Sequence, residues 1–286
     1  MIDIVSANHY FQPLRDDESL PVLEHILKDL CRENFRRIDR FIQLALLGSA
    51  RCTAGHGLRP DCSLYLGSGL GPMGNNIAAQ EQLIRDRGIP KPFNFINTLG
   101  SSAGFYIARN LGLSGQNFFI SRRGASLEAV LSVAGADLTL GIAQQALVGV
   151  VEEATLPLAA HRQRQGLPAD TPMAEGSHWL LLQSTATGAG SLELKHFAEF
   201  AELEGFLISA WHTGDRLCCA RSMERGPADV LRHRFPPAVS PGPEQPFHDS
   251  LEAAWVTEFA ASGNPGKLFL INGNSGRGWL LFHFGA

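Results

Sequence analysis

The chain has 286 residues, a net charge of −4, and a composition that is 44% hydrophobic and 18% charged. These proportions are typical of a globular protein and allow a large core, in one domain or in two closely packed halves. They exclude the strongly basic balance of a nucleic-acid-binding domain. No apolar run approaches the roughly 20 residues that a membrane span needs, so no span is predicted.

The five cysteines stand at irregular spacing and include no CxxC pair. An odd and irregular set predicts neither a disulfide framework nor a zinc site. The first eleven residues also lack the basic region and long apolar stretch of a signal peptide. We therefore expect a cytoplasmic protein that uses no metal and no cofactor.

The first half of the chain predicts helices that alternate with buried strands. Apolar residues recur at helical spacing within 18–50, and a short apolar run at 62–66 ends in the glycine-rich sequence GSGLG. Further helices are predicted over 75–86, 98–111 and 125–142, and strands over 117–121 and 145–152. This alternation favours an α/β layer structure with crossover connections.

The second half repeats the alternation less regularly. Strands are predicted over 179–184 and 192–197, joined through a turn at Gly188 and Gly190, and a short helix at 198–204 leads into a strand at 206–211. The proline-rich segment 235–247 is predicted to be irregular. A helix over 249–262 and a hairpin joining 269–271 to 279–284 close the chain. No linker separates the halves, so one fused core is expected.

Four segments, taken in order, resemble the β-ketoacyl synthases. RRIDRF at 36–41, with LAL at 44–46, is similar to that family's opening motif, and LGSGLG at 66–71 is similar to its strand-to-glycine turn. FISRRGAS at 119–126 resembles its nucleophile elbow, and LVGVVEE at 147–153 resembles the strand that follows. The resemblance implies a thiolase-like αβαβα layered fold with two related halves. It implies one unit, with a ketosynthase-like half at 1–160 and a shortened half at 161–286.

The elbow of that family carries the cysteine that accepts the acyl group, and in this register the position is Gly124. A thiolate at a helix N-terminus attacks a thioester because its pKa is lowered there, whereas glycine has no side chain that could attack. Arg122 and Arg123 replace small residues of the motif. They either face a partner, such as an acidic carrier protein, or are solvated surface arginines.

Two histidines complete the catalytic set that the resemblance implies. ISAWHTG at 208–214 is similar to the first histidine motif and places Trp211 at the histidine position, while a shift of one residue would place His212 there. PFHD at 246–249 is similar to the second motif and places His248 at the catalytic position. Ordinary helix entry explains His248 and Asp249 nearly as well, since aspartate is a good N-cap.

The resemblance therefore implies a non-catalytic ketosynthase-like subunit of fatty acid or polyketide biosynthesis, similar to a chain-length factor, with polyene-type products among the options. Such a subunit would pair with an active ketosynthase in a heterodimer, or with itself in a homodimer, and would meet an acyl carrier protein. Phe105, Phe118 and Trp211 are candidate walls of the acyl cavity.

Two other functions stay open. One is an enzyme that binds an acyl thioester without covalent attachment and decarboxylates or transfers it, using His248, His212 and backbone N–H groups near Gly124 as an oxyanion hole. The other is a self-associating scaffold or acyl-binding protein that has no ketosynthase partner.

Overall fold

The computed structural model describes residues 1–16, 19–185, 192–236, 238–239, 245–263 and 265–285. Its strands form one ten-stranded mixed sheet in the order β3-β2-β4-β5-β1-β6-β10-β9-β7-β8. The strands are β1 (Ile2–Leu14), β2 (Ser63–Gly67), β3 (Asn117–Ile120), β4 (Gln145–Glu152), β5 (Met173–Ser184), β6 (Leu192–Phe197), β7 (Arg216–Cys219), β8 (Ala238–Val239), β9 (Leu268–Asn274) and β10 (Gly278–Phe284).

The strand order contains an internal repeat. From the β3 edge inward, the sheet contains the third, second, fourth, fifth and first strands of the first half of the chain. From the β8 edge inward, it contains the strands of the second half in the same order: third, second, fourth, fifth and first. In each half the second strand is parallel to the third and fourth, and the fifth strand is antiparallel to the fourth and first. The predicted two related halves are confirmed. Because β5 belongs to the first repeat, that repeat extends to Ser184 rather than ending at 160.

Corresponding helices connect the strands of the two halves. The first half has α2 (Arg40–Thr53), α5 (Ser101–Leu111) and α6 (Ser126–Thr139), and their counterparts are α8 (Phe200–Ala210), α9 (Arg225–Arg234) and α10 (Leu251–Ala261). The other described helices are α1 (Glu24–Leu30), α3 (Met73–Ile84), α4 (Pro92–Ile96) and α7 (Leu158–Gln165). None of the described helices is long and apolar enough to cross a membrane.

Three apolar clusters define the layers. In the central cluster, residues of α6 and α10 such as Val130 and Val256 pack with inner residues of both sheet halves, including Val148 and Leu270. A second cluster packs α1, α2 and α5 against the other face of the first half-sheet. A third packs α8 against the other face of the second half-sheet, together with residues of α9. This arrangement gives the predicted five layers, with α6 and α10 buried in the middle.

Most of the predicted elements are confirmed, including β2, β3, β4, β6 and the β9–β10 hairpin. The strand predicted at 206–211 is wrong, because α8 continues to Ala210. A short apolar run does not distinguish a strand from a packed helix. The predicted β5–β6 pairing is also wrong: β5 pairs with β4 and β1, and β6 pairs with β10 and β1. The turn proposed at Gly188 and Gly190 lies outside the described residues.

Candidate active site: a filled elbow

The elbow between β3 and α6 brings Gly124 into the left-handed backbone region, with φ of 66°. The Ser126 hydroxyl donates to the Arg122 carbonyl at 2.6 Å and accepts from the Arg122 N–H at 3.1 Å, which holds the turn. A side chain at position 124 would be strained at this φ, and its Cβ would lie 3.3 Å from Cβ of Ser222. The position predicted for the nucleophile is thus the tip of a tight turn without a reactive group.

The carboxylate of Asp249 fills the space at this turn. Its Oδ2 accepts a hydrogen bond from the Gly124 N–H at 2.9 Å, and Arg123 Nε lies 3.8 Å from its Oδ1. Gly69, in the turn after β2, makes room for the carboxylate, because a Cβ at position 69 would lie only 1.7 Å from Oδ2. The backbone donor that would stabilise an oxyanion in the non-covalent hypothesis is therefore already bound by the protein.

A second carboxyl group, that of Glu152, is buried next to Asp249. Its Oε1 accepts from the Gly69 N–H at 2.7 Å and from the Ser250 hydroxyl at 2.6 Å, and its Oε2 accepts from the Ser68 hydroxyl at 3.1 Å. Burial, and then the negative charge of Asp249, raises the pKa of Glu152 to about 8. Glu152 is therefore mainly protonated at neutral pH, and one serine hydroxyl then accepts its proton in a hydrogen bond.

Another chain of hydrogen bonds ties the elbow to the second half. The Ser222 hydroxyl donates to the Gly124 carbonyl at 2.5 Å. The Asn272 amide donates to Ser222 Oγ at 2.8 Å and to Glu128 Oε1 at 2.6 Å. Burial, and then the carboxylate of Glu252, raises the pKa of Glu128 to about 7. Protein groups thus hold the elbow on both sides.

His248 is occupied in the core rather than at the elbow. Its ring stacks on that of His178, with centroids 5.1 Å apart and the two Nε2 atoms 3.2 Å apart. Burial lowers the pKa of His248 to about 3, so the imidazole is neutral. Asp249, the next residue, reaches the elbow in its place. The helix-entry interpretation of Asp249 is wrong, because α10 begins at Leu251 with Ser250 at its N-cap.

The first histidine motif also needs correction. Since α8 extends to Ala210, Trp211 and His212 follow a helix and not a strand. Trp211 packs on Phe235 and Phe269 in the outer cluster of the second half, with ring centroids 5.0 and 5.7 Å apart. His212 is exposed, with its backbone N–H bonded to Asp215 at 2.8 Å. These residues are therefore on the outer layer, away from the central helices.

By the strand repeat, the counterpart of the β2 glycine turn is the segment that follows β7. That segment begins with Ala220 and Arg221. The Arg221 N–H donates to Glu252 Oε1 at 2.5 Å, and its guanidinium lies 4.0 Å from the centre of the Phe247 ring. Arg221 is thus held by a backbone bond and a cation–π contact.

None of the five cysteines is activated. Burial raises the pKa of every thiol, to about 12 for Cys52 and Cys62, to about 11 for Cys219, and upward for Cys31 and Cys218. All five are therefore thiols at neutral pH. In the described part of the chain, no three His, Cys, Asp or Glu side chains form a group that could hold a metal ion.

Two of the three predicted wall residues, Phe105 and Phe118, lie at the surface. Phe105, on α5, is 55% exposed, and Phe118, on β3, is 39% exposed and stacks on Tyr65 with ring centroids 5.5 Å apart. Helix α5 packs beside β3, so both residues belong to one edge of the molecule. A wall role for them would require a partner at that edge.

Asp249, Glu152 and Ser222 are the site residues that the sequence analysis missed. A signal existed for Asp249, since it neighbours His248 in the motif already singled out. Ser222 follows β7, which was not predicted as a strand. Glu152 ends a correctly predicted strand, but its partner in the turn after β2 is 83 residues away in sequence. Only the fold brings these groups together.

No protein-family model and no curated protein sequence matches the chain. Among solved structures, it is similar to AntDE:AntF, a type II polyketide synthase acyl-carrier protein in complex with its ketosynthase bound to the hexaketide. The TM-score is 0.70 and the sequence identity 12%, and the match covers 100% of this chain and 99% of that chain. It is similar to the ishigamide ketosynthase/chain length factor, with a TM-score of 0.64 and 15% identity over 91% of this chain and 85% of that chain.

It is also similar to 3-oxoacyl-(acyl carrier protein) synthase III from Pseudomonas aeruginosa PAO1, with a TM-score of 0.56 and 15% identity over 99% of this chain and 97% of that chain. At these identities the likeness shows the fold. The thiolase-like arrangement predicted from the sequence is confirmed.

Proposed function

We propose that this chain, which has the thiolase-like fold of ketosynthases, is a non-catalytic companion subunit that pairs with an active ketosynthase. The observation that carries the proposal is the elbow. Gly124 offers no nucleophile, and Asp249 occupies its backbone N–H at 2.9 Å. A site that is closed by its own carboxylate can neither accept an acyl group covalently nor stabilise an oxyanion at that donor.

An exposed apolar edge supports a protein partner. Strand β3 lies at the end of the sheet, and among the described strands it pairs with β2 alone. An edge strand with unpaired backbone groups and apolar side chains needs cover. The large exposed apolar side chains between positions 83 and 118 are Leu83, Ile84, Ile89, Phe93, Phe95, Ile96, Leu99, Phe105 and Phe118.

The solved structures to which the chain is similar include a ketosynthase/chain length factor pair and a ketosynthase with its acyl-carrier protein. By analogy with those proteins, the partner at the β3 edge would be a cysteine-bearing ketosynthase, and an acyl carrier protein would visit the pair. Phe105 and Phe118 would then face the partner and border its acyl cavity. The acyl chain would be of fatty acid or polyketide type, and no residue described here selects polyene-type products.

Co-expression with a cysteine-bearing ketosynthase from the same source tests the proposal. We expect a 1:1 complex on size-exclusion chromatography with light scattering, and we expect Phe105→Asp to abolish it. Ile208→Asp is the matched control, since Ile208 is 55% exposed on α8 in the opposite outer layer. A chain that stays alone or forms only homodimers in the presence of the ketosynthase would instead favour a self-associating scaffold.

The non-covalent enzyme hypothesis receives no support from the geometry. It relied on His248 and His212 near a free Gly124 N–H. One of these histidines stacks on His178 in the core, the other is exposed after α8, and the N–H is bound by Asp249. Release of carbon dioxide from a malonyl thioester by the purified chain would restore that hypothesis.

A further inference from the structure

A cleft of about 300 Å³ lies beside the elbow, and residues of both halves line it. One wall is the segment before α6, which contributes Arg122 and Arg123. The other wall is the β9–β10 hairpin, which contributes Arg277. His196, on β6, adds a fourth basic side chain. Three arginines and one histidine therefore come from three separate parts of the fold to one concavity.

Among the side chains that line this cleft, arginines outnumber carboxyl groups. Within the part of the chain that the structure describes, Arg122 and Arg277 form no ion pair with a carboxylate. Arg123 pairs with Asp249, with Nε 3.8 Å from Oδ1, and its Nη2 donates to Gln165 Oε1 at 3.5 Å. Glu128 is the one acidic residue among those lining the cleft, and its Oε1 accepts from Asn272. Two of the three guanidinium groups are thus without an ion pair among the described residues, in a chain whose net charge is −4.

Hydrogen bonds fix the floor of the cleft, while the side chains of its three arginines are exposed. Ser222 bonds to the Gly124 carbonyl at 2.5 Å, and Asn272 bonds to both Ser222 and Glu128. The Arg122 backbone is held by the Ser126 hydroxyl at 3.1 Å. The backbone positions that carry the arginines on the elbow side are therefore set before any ligand arrives, which reduces the entropy lost on binding.

We propose that this cleft binds the phosphate group of a small phosphate ester. Guanidinium groups recognise phosphate oxygens through paired hydrogen bonds, and a tetrahedral phosphate offers acceptors in several directions where a carboxylate offers them in one plane. Arginines from two separate segments of the chain match the former. The volume lies at the small end of the range for ligand pockets, which suits a compact ligand and not a protein helix. The inference does not rest on the companion role, since the arginines line the cleft whichever partner the chain has.

Isothermal titration calorimetry with inorganic pyrophosphate as the probe, at low ionic strength, tests this proposal. We expect saturable binding that weakens as salt is added, because the attraction between charges is screened. Arg277→Gln and Arg122→Gln should each weaken binding by about tenfold or more, the loss expected for a hydrogen-bonded charged contact. Arg225→Gln, which removes an exposed arginine of α9 outside the cleft, is the matched control and should leave the affinity unchanged.

Thermal unfolding without ligand checks that the variants are folded. Arg277→Gln and Arg122→Gln lie in different segments of the chain, so if one variant fails to fold, the other still tests the proposal. The proposal is overturned if pyrophosphate fails to bind at millimolar concentration. It is also overturned if Arg225→Gln weakens binding as much as Arg277→Gln does. Equal affinity for citrate, lost in the same variants, would overturn the assignment to phosphate.

Discussion

Replacement of Gly69 by alanine probes the contact that closes the elbow. A Cβ at position 69 would lie 1.7, 2.4 and 2.8 Å from three atoms of the Asp249 side chain, and these are the nearest atoms that it would meet. The carboxylate would have to leave its place and release the Gly124 N–H, to which it bonds at 2.9 Å. Overpacking of this kind costs roughly 1–3 kcal/mol, and loss of a hydrogen bond to a charged group costs about 1.5–3 kcal/mol.

We therefore expect Gly69→Ala to lower the free energy of unfolding by about 2.5–6 kcal/mol, the sum of the two costs. In an Asp249→Ala background only the Cβ of residue 249, at 2.8 Å, remains of these three atoms, and the same change should cost about 1 kcal/mol, the low end of the cost of overpacking. The coupling between the two substitutions should thus be favourable and larger than about 1 kcal/mol. Asp170→Ala, an exposed aspartate in the loop before β5, serves as the matched control and should show no coupling with Gly69→Ala.

Urea unfolding of the four members of the cycle, monitored by circular dichroism at pH 7, measures this coupling. Additive effects of the Gly69 and Asp249 substitutions, within about 0.5 kcal/mol, would show that the carboxylate does not occupy the space over Gly69. Such a result would remove the physical basis for a filled elbow.

Three further predictions concern the same region. The folded-state pKa of Glu152, about 8, is above its unfolded value, so its contribution to stability is present below about pH 4.5 and is lost as the pH rises through 8. Glu152→Gln should therefore reduce the fall in the free energy of unfolding between pH 6 and 8, by up to about 1.4 kcal/mol per pH unit. Urea titration at several pH values measures this slope, and an unchanged slope would contradict the prediction. Burial lowers the pKa of His248 to about 3 and also lowers the pKa of His178, so stability should fall as the pH drops below about 6.5. His248 should account for about 2 kcal/mol of this fall at pH 5, and His248→Phe should remove its share. Gly124→Cys should lose about 1–2 kcal/mol of stability, since φ is 66°, and should not condense acyl and malonyl thioesters in a radiolabel assay; efficient condensation would contradict the account of the site.

Local patterns were enough to predict much of the first half of the fold. Strand β4 is buried at every position, and such a run of apolar residues bounded by turns is a strong local signal. Strand β1 was missed, because its thirteen residues mix polar and apolar side chains and are only partly buried between β5 and α10. Strand β7 has four residues and was obscured by the stronger apolar run of α8 just before it.

The candidate site was predictable only in part. The elbow and its glycine were found, because the motif is continuous in sequence from 119 to 126. The group that closes the elbow was not found, since Gly124 and Asp249 are 125 residues apart in sequence. The motif around the elbow also predicts a cysteine nucleophile and gives no indication of a carboxylate. The wrong prediction at Trp211 had a different source. The match of a short sequence motif favoured a strand there, although the residues that precede Trp211 have helical spacing.

Incubation of the purified chain with an octanoyl thioester, followed by intact-protein and peptide mass spectrometry, tests most directly whether the elbow is inert. A filled elbow without a nucleophile predicts no acyl adduct on any peptide that covers 117–126, and no adduct on the five protonated cysteines, at times when a cysteine-bearing ketosynthase in a parallel sample is fully acylated. A stoichiometric acyl group bound to a side chain of this protein would contradict the account.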